Sequence, residues 1–383
     1  MKVTGVWLTR VETQTVCAML TDAGHQAFLV GGCVRNALLG APVSDIDIST
    51  DARPDRVIEL AYAAGLKPVP TGKDHGTITV IAGGIAHEIT TYRKDVETDG
   101  RRAVVAFSDT LEDDAHRRDF TMNALYAHAD GSVVDPLGGL ADLKARRFVF
   151  IDDADMRIRE DYLRILRFFR FNAWYGDPDV GLDPDALSAI ASHAAGIASL
   201  SKERVGAEMI KLLSAPDPAP AVAAMRHCNV LSEVISGADD KALALLVHFE
   251  QTAGLPADPV RRLAVLGGQN AEAALRLSKK SAALLMILRE LMGSMMSPAE
   301  MAYRHDADIA RSVMILRSAI FEQPVPSDFE SEIILGANAE FPIQPADLMP
   351  EFQGKELGDR LRALKEKWIS SGFTLGRDPL LKD

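Results

Sequence analysis

The sequence is poor in cysteine and has no long hydrophobic run. Cys17, Cys33 and Cys228 form no CxxC pair and no metal-like spacing, so reduced thiols are expected. No segment approaches the roughly 18 apolar residues of a membrane span. The first 20 residues contain scattered polar groups instead of a signal-peptide core. We therefore expect a soluble, cytoplasmic protein with no membrane partner.

The sequence also has fewer basic residues than acidic ones. The chain of 383 residues has 42 Lys and Arg against 54 Asp and Glu, a formal net charge of −12. This sign excludes non-specific binding of polyanions through bulk charge, but it permits a local groove lined by arginines. Apolar residues make up 47% and charged residues 25%, which is ordinary globular composition. The length predicts about two to four domains.

The pattern of apolar residues divides the chain into a mixed first part and a helical remainder. Up to about residue 140, alternating apolar runs and glycine turns predict strands between short helices, including a hairpin around Gly83-Gly84. The polar stretch 93–108 is predicted to be a long loop. Beyond about residue 140 strand signals almost vanish, and helical spacing dominates. The sequence thus predicts an α/β head followed by an all-helical body.

A glycine turn and two aspartates suggest phosphate and metal chemistry. Gly31 and Gly32 follow an apolar run, so backbone N–H groups could approach an anion closely. Arg35 adds a cationic fork. Asp45 and Asp47 are two residues apart on a predicted strand, so their carboxylates share a face and would repel each other without a bridging cation such as Mg²⁺. The set predicts phosphoryl or nucleotidyl transfer; the alternative is an exposed strand with two solvated aspartates.

The same stretch, GGCVRNALLG followed by SDIDI, resembles the class II tRNA nucleotidyltransferase and bacterial poly(A) polymerase family. Further motifs follow in the family's order and extend the resemblance over residues 28–213: EITTYR, RRDFTMNAL, DPLGGLADL, REDYLRILRFFRF and SKERVGAEMIKLL. A weaker match lies near the C-terminus. One departure is Asn36, where the family usually has aspartate; asparagine keeps the size and polarity but loses the charge.

The resemblance implies an α+β fold, with an N-terminal nucleotidyltransferase head built on a small mixed β-sheet and an all-helical neck, body and tail. The neck would select the nucleotide base, and the tail would bind RNA. SKERVGAEMIKLL would support the neck and contribute no site residue. The expected domains are residues 1–145 (head), 146–214 (neck), 215–300 (body) and 301–383 (tail).

The resemblance also implies the activity, which is template-independent addition of C, C and A to the 3′ end of tRNA. CTP and ATP would be the substrates and pyrophosphate the leaving group, with two Mg²⁺ ions held by Asp45 and Asp47. Glu88, on the neighbouring predicted strand, is either a third carboxylate of this site or a surface glutamate. A poly(A) polymerase, or an enzyme that adds A alone or CC alone, remains an alternative. No DNA partner is expected.

Several nucleotide-binding residues are implied by the first motif and by RRDFTMN. Gly32 and Arg35 begin the helix after the glycine turn. Arg118, Asp119 and Asn123 are predicted to lie within about one helical turn. Arg118 would contact the triphosphate, and Asp119 would accept the ribose 2′-hydroxyl, which distinguishes ribonucleotides from deoxyribonucleotides. The alternative is an ion network on the surface of a helix.

The helix predicted from REDYLRILRFFRF places Asp161 and Arg164 three residues apart on one face, and Arg167 and Arg170 continue it towards the phosphates. Cytosine and adenine present an amino donor beside a ring-nitrogen acceptor, whereas guanine and uracil present a carbonyl beside an N–H donor. A carboxylate next to a guanidinium would therefore select C and A without a template. The alternative is a structural i,i+3 ion pair. Glu160 is expected to anchor the pair.

Overall fold

The computed structural model describes residues 1–99 and 102–382. The chain forms two compact units, Met1–Ser236 and Gly237–Asp383; the finer division into head, neck, body and tail stays a prediction. All three cysteines are unpaired and buried. Among the described residues, no helix combines the length and the apolar character that crossing a membrane requires.

The first unit begins with a seven-stranded mixed sheet in the order β3-β4-β5-β2-β1-β8-β9, and β6 and β7 form a separate hairpin. Within the sheet β2 and β5 are parallel, and the other pairs are antiparallel. The strands are β1 (Phe28–Val30), β2 (Ile46–Thr50), β3 (Lys67–Gly72), β4 (Thr77–Ala82), β5 (Ile85–Thr91), β6 (Arg93–Asp99), β7 (Arg102–Phe107), β8 (Tyr126–Ala127) and β9 (Val133–Val134).

Helices surround this sheet and continue beyond it to the end of the unit. They are α1 (Val6–Thr9), α2 (Val11–Thr21), α3 (Gly32–Leu39), α4 (Pro54–Ala63), α5 (Leu111–His116), α6 (Gly139–Ala145), α7 (Ala154–Glu160), α8 (Leu163–Tyr175), α9 (Pro184–His193), α10 (Lys202–Leu213), α11 (Ala219–His227) and α12 (Val230–Val234). Short 3₁₀ turns lie at Lys73–His75, Thr121–Asn123 and Ala194–Ser199.

One face of the central strands β2 and β5 is buried against a helix, and the other face carries carboxylates. On one face His87 of β5 is fully buried, and its Nε2 lies 3.0 Å from the hydroxyl of Thr13 on α2. Ile46, the register partner of His87, shares that face. Side chains alternate along a strand, so Asp47 and its partner Glu88 project from the opposite face. The parallel pairing of β2 and β5 therefore places two carboxylates side by side.

Several sequence predictions about the head are confirmed, and the prediction for residues 93–108 is wrong. The glycine turn, the helix that ends at Gly40 and the β4–β5 hairpin all form as expected. The stretch 93–108, predicted to be a loop, contains the antiparallel β6–β7 pair. The run RAVVAF has the β-branched residues that favour a strand, and it pairs with a charged strand that composition alone assigned to a loop. Gly100 and Arg101 of this prediction lie outside the described residues.

The single helix predicted from REDYLRILRFFRF is also wrong, because α7 ends at Glu160 and α8 begins at Leu163. Asp161 has extended backbone angles, φ −156° and ψ 104°. Its Oδ1 accepts the N–H of Leu163 at 3.1 Å, which satisfies an otherwise unpaired donor at the start of α8. The aspartate thus favours a break at the position where helical spacing alone predicts continuity.

Aromatic packing joins the sheet-bearing part of the first unit to α8. Phe120 contacts the rings of Phe148, Phe150, Phe168 and Phe171, with centroids between 4.8 and 6.1 Å apart. Phe120, Phe148 and Phe168 are fully buried, and burial of side chains of this size is a large source of stability. Residues on either side of this aromatic core are therefore held at fixed positions.

The second unit is helical throughout its described residues. Glu250 is buried and accepts hydrogen bonds from Arg261 and Arg262, both at 2.8 Å. Trp368 and Ile369 lie in a separate core near the C-terminus. The helices are α13 (Leu243–Thr252), α14 (Pro259–Leu266), α15 (Ala271–Ala274), α16 (Lys279–Met292), α17 (Pro298–Arg304), α18 (Ala307–Phe321), α19 (Phe329–Ala337), α20 (Gly354–Ser370) and α21 (Arg377–Leu381), with a 3₁₀ turn at Pro345–Asp347.

Candidate active site

A cleft of about 740 Å³ in the first unit contains every site residue that the sequence predicted. Its lining includes nine cationic and five anionic side chains, an excess of positive charge that the net charge of the whole chain conceals. The cationic residues are Arg35, Arg93, Arg117, Arg118, Arg164, Arg167, Arg170, Arg204 and Lys211. The anionic residues are Asp45, Asp47, Glu88, Asp119 and Asp161, and Gly31, Gly32, Leu163, Asn123 and Phe171 complete the lining.

Three carboxylates lie close together at the central strands β2 and β5. Asp45 precedes β2, and Asp47 and Glu88 are register partners on the two strands. Burial raises the pKa of Asp47 to about 6, and repulsion from Glu88 and Asp45 adds to this rise while Arg118 opposes it. Such repulsion is relieved when a cation joins the carboxylates. The sheet therefore holds these groups in an arrangement that favours binding of a positive ion.

The donor set fits a divalent cation that completes its coordination with substrate. The described residues contain no group of three or more side chains arranged to hold a metal by themselves. Mg²⁺ commonly takes one or two carboxylates together with water and phosphate oxygens. Asp45 and Asp47 are hard oxygen donors that line the cleft, so they suit an ion of this kind.

The glycine turn brings the start of α3 close to Arg118. Gly31 has a backbone φ of 67°, which residues other than glycine rarely adopt. A Cβ at this position would lie 3.3 Å from Nη1 of Arg118, which is a tight contact. Gly32 then begins α3. Glycine here therefore provides both the turn and the space that Arg118 occupies.

Asp114 fixes the orientation of Arg118, and sequence analysis missed it. Its side chain has no exposed surface and accepts hydrogen bonds from Ser49 at 3.0 Å, Arg117 at 2.7 Å, Arg118 at 3.0 Å and Tyr126 at 2.9 Å. Burial alone would raise the pKa of Asp114, but the two guanidinium groups hold it well below its usual value. The signal in the sequence was an i,i+4 Asp-Arg pair, which is too common to single out.

Arg35 was predicted to bind phosphate, but the side chain is buried, with only 4% of the residue's surface exposed. It donates to Asn36 Oδ1 at 2.9 Å and to Asn123. Its guanidinium lies 4.8 Å from the ring centroid of Phe171 and 4.5 Å from that of Tyr175. The side-chain oxygen of Asn36 accepts hydrogen bonds from Arg35 as an aspartate would. Asparagine is neutral, however, so position 36 supplies no negative charge to balance the guanidinium of Arg35. Burial lowers the pKa of Arg35.

The helical turn predicted to hold Arg118 and Asp119 is wrong. Both residues lie between α5 and the 3₁₀ turn that contains Asn123. The backbone bends at these two residues and becomes extended at Phe120, which forms an isolated antiparallel bridge with Phe150. The N–H of Ile151 donates to the carbonyl of Asp119 at 3.0 Å. Arg118 consequently contacts Asp114, whereas Asp119 faces α8 and accepts a hydrogen bond from Arg167 at 2.7 Å.

Asp119 is bound on both carboxylate oxygens. Oδ1 accepts the backbone N–H of Phe120 and the side-chain amide of Asn123, both at 2.9 Å, and Oδ2 accepts from Arg167. Burial opposes ionisation, but Arg167 and these hydrogen bonds hold the pKa of Asp119 well below its usual value. The group is therefore a charged acceptor at neutral pH.

Asp161 and Arg164 both line the cleft but do not pair with each other. Asp161 Oδ2 accepts from Arg204 Nη2 at 2.6 Å. Arg164 donates to Glu160 at 2.5 Å and to the carbonyl oxygens of Arg157 at 2.8 Å and Arg117 at 3.2 Å. Glu160, expected to anchor the pair, contacts Arg164, whereas Asp161 is held by Arg204. The alternative of a direct Asp161–Arg164 ion pair is wrong.

Helix α10 contributes to the cleft, although SKERVGAEMIKLL was expected to supply no site residue. Arg204 and Lys211 line the cleft, and Glu208 pairs with Arg170 at 2.6 Å. These three α10 residues are spaced by four and three positions and so lie on one face of the helix. The sequence did contain a signal for this surface. Arg204, Glu208 and Lys211 form a charged stripe along α10, beside the apolar residues of its buried face.

Comparison with known proteins identifies the family. The Poly A polymerase head domain matches residues 27–149, and the family described as "Probable RNA and SrmB- binding site of polymerase A" matches residues 179–241. The mouse (Mus musculus) CCA tRNA nucleotidyltransferase 1, mitochondrial, is 30% identical over 96% of this chain and 88% of its own length. The chain belongs to the CCA tRNA nucleotidyltransferase family.

Other members of the family agree with this assignment. The CCA-adding enzyme of Geobacillus thermodenitrificans is 38% identical over 59% of this chain and 54% of its own. The crystal structure of the Bacillus stearothermophilus CCA-adding enzyme in complex with CTP matches with a TM-score of 0.77 and 27% identity over 94% of this chain and 92% of that one. The family and the α+β fold expected from the sequence are confirmed.

The raised pKa of Asp47 predicts that replacing it with asparagine stabilises the metal-free protein. A folded-state pKa of about 6 lies above the unfolded value of about 3.9, so protonation stabilises the fold at low pH and this stability is lost as the pH rises through about 6. Asp47→Asn should raise the free energy of unfolding at about pH 8 by about 1–2 kcal/mol, allowing for solvent screening. Urea denaturation in chelator measures it.

The same variant at about pH 4 serves as its own control. The wild-type carboxyl is then protonated in the folded state and about half protonated in the unfolded state, so the stability difference should shrink to below about 0.5 kcal/mol. If Asp47→Asn is no more stable than wild type at about pH 8, then the ionised Asp47 carboxylate does not destabilise the folded protein, and this prediction is wrong.

The buried position of Asp114 predicts a large loss of stability in Asp114→Asn. Asparagine preserves the shape but leaves Arg117 and Arg118 without a buried counter-charge, which should lower the free energy of unfolding at neutral pH by about 3 kcal/mol. Glu112→Gln is the matched control, since Glu112 is exposed on the same helix. Equal urea midpoints for the two variants would mean that the arginines are neutralised elsewhere.

Proposed function

We propose that this protein adds C, C and A to the 3′ end of tRNA, using CTP and ATP and releasing pyrophosphate. The observation that carries the proposal is a cleft that combines carboxylates at the central strands β2 and β5 with an excess of arginines. That combination suits a nucleoside triphosphate bound with a metal. The fold extends over nearly the whole length of a CCA-adding enzyme whose structure was solved with CTP.

Asp45 and Asp47 are the proposed ligands of two Mg²⁺ ions, with Glu88 as a third carboxylate beside them. When bound, such ions lower the pKa of an attacking 3′-hydroxyl and neutralise charge on the leaving pyrophosphate. The protein itself binds the triphosphate, through the side chain of Arg118 and the backbone of Gly32. Asp114 holds Arg118 in position, so these contacts fix the α-phosphate relative to the carboxylates.

Sugar selection is proposed for Asp119. Three of the roughly four lone-pair positions of a carboxylate are used by Phe120, Asn123 and Arg167. The remaining position can accept a ribose 2′-hydroxyl. A deoxyribonucleotide would leave that acceptor unpaired, which lowers its affinity. Arg167 and Arg170, on the same side of the cleft, are proposed to meet the phosphates.

Base selection is proposed for Asp161 and Arg164. Asp161 has two oxygens engaged, by Leu163 and Arg204, and retains acceptor positions for an exocyclic amino group. Arg164 uses three of its five N–H donors on Glu160 and two backbone carbonyl groups, which fixes the plane of its guanidinium. The remaining donors can meet the ring nitrogen of cytosine or adenine. Guanine and uracil would oppose both side chains.

The remaining parts of the proposal concern RNA and location. We propose that residues 1–145 form the head, 146–214 the neck, 215–300 the body and 301–383 the RNA-binding tail. Addition of A alone, of CC alone, or of poly(A) is the alternative activity. The cytoplasmic location expected from the sequence stays a prediction, and the mouse relative is named as mitochondrial.

The activity is tested with tRNA that lacks its 3′ CCA and with each NTP singly and in pairs. We expect two residues from CTP alone, the complete CCA from CTP with ATP, and no extension from GTP or UTP. Asp45→Ala and Asp47→Ala should each lose incorporation by orders of magnitude, because both carboxylates hold the metal. Runs of A from ATP alone would indicate a poly(A) polymerase, and termination at CC would indicate a partial enzyme.

Base selection is tested by Asp161→Ala. Loss of the acceptor should lower use of CTP and ATP and relax rejection of UTP and GTP, with the ratio of kcat/KM for CTP over UTP falling on the order of tenfold or more. Arg164→Ala should impair both correct nucleotides. Unchanged ratios accompanied by a lower melting temperature would assign the segment to scaffolding.

A further inference from the structure

Asp161 is held from a different helix by Arg204. Asp161 lies in the break between α7 and α8, and Arg204 lies in the first turn of α10. Nη2 of Arg204 donates to Oδ2 of Asp161 at 2.6 Å, a short, charge-assisted hydrogen bond. Both side chains line the cleft. Two of the carboxylate's acceptor positions are thus used, one by Arg204 and one by the backbone N–H of Leu163.

Other contacts also hold α10 in place. The side chains of Arg204 and Asp161 are 26% and 25% exposed, more than the 15% and 7% of the neighbouring Arg170–Glu208 pair, so solvent screens part of their attraction. Helix α10 packs through buried apolar residues, including Val205 and Met209, and through the more deeply buried Arg170–Glu208 pair. An explanation other than packing is therefore required for the Arg204–Asp161 contact.

Orientation of the carboxylate supplies that explanation. Asp161 is outside regular helix, so its side chain is not confined by a helical neighbour on each side. The two contacts fix both carboxylate oxygens, and the acceptor positions that remain then face a defined direction. A base is distinguished by the direction of its hydrogen bonds, so a carboxylate free to rotate would adapt to a wrong base and discriminate less.

We propose that Arg204 is a positioning residue for base selection, which orients the carboxylate of Asp161 towards the exocyclic amino group of cytosine or adenine. The inference rests on the proposed function, since it has meaning only if Asp161 reads the base. It adds a specificity determinant on α10, a helix outside the motif that contains Asp161 and Arg164.

The experiment compares Arg204→Gln with Lys202→Gln in the full-length protein. Both variants remove one positive charge from the first turn of α10, but Lys202 is exposed and does not line the cleft. We expect Arg204→Gln to lower the kcat/KM ratios of CTP over UTP and ATP over GTP on the order of tenfold. Lys202→Gln should leave both ratios unchanged. Arg204→Lys, which keeps one charged donor, should restore part of the discrimination.

A double-mutant cycle with Asp161→Ala completes the test. If Arg204 acts through Asp161, Arg204→Gln should have no further effect on the ratios in the Asp161→Ala background. Unchanged ratios in Arg204→Gln, with or without a lower melting temperature, would overturn the inference while leaving the proposed function intact. Unchanged ratios in Asp161→Ala itself would overturn base reading by Asp161, and the role of Arg204 with it.

Discussion

Neutralisation of closely spaced arginines by buried carboxylates is the constraint on which the cleft depends. Guanidinium groups that converge on one cavity repel each other, and buried charges are tolerated only with a partner. Asp114 pairs with both Arg117 and Arg118, Asp119 pairs with Arg167, and Glu208 pairs with Arg170. The arginines are therefore already in place before a triphosphate arrives, and binding requires little reorganisation.

The aromatic core sets where these ion pairs lie. Phe120 directly follows Asp119, and Phe168 and Phe171 directly follow Arg167 and Arg170. Because the three rings pack against one another or a shared neighbour, each buried ring fixes the backbone of the charged residue beside it. Displacing one ring would move a carboxylate relative to its arginine. Packing and electrostatics are thus linked along the same short segments.

Local sequence patterns predicted the parts of this arrangement that local geometry decides. The glycine turn, the placement of Asp47 on a strand and the gathering of the motifs all followed from spacing and family resemblance, although Asp45 lies just before that strand. The burial of Asp114 and the contribution of Arg204 did not, because they involve Ser49 and Asp161, which are far away in the chain. The break at Asp161 involves a local hydrogen bond to the N–H of Leu163, which helical spacing alone does not indicate. An i,i+3 or i,i+4 spacing shows which residues can meet along a helix, but tertiary contacts decide which of them do.

The pKa values of Asp47, Asp114 and Asp119 shift in different directions. Burial alone would raise the pKa of each, but arginines more than reverse this for Asp114 and Asp119, which consequently stabilise the fold as anions. For Asp47 the neighbours are Glu88 and Asp45, and the pKa rises. The sheet register imposes that unfavourable pairing, and a bound cation would relieve it. A raised pKa beside lowered ones therefore distinguishes Asp47, the proposed metal ligand, from the carboxylates that hold the arginines in place.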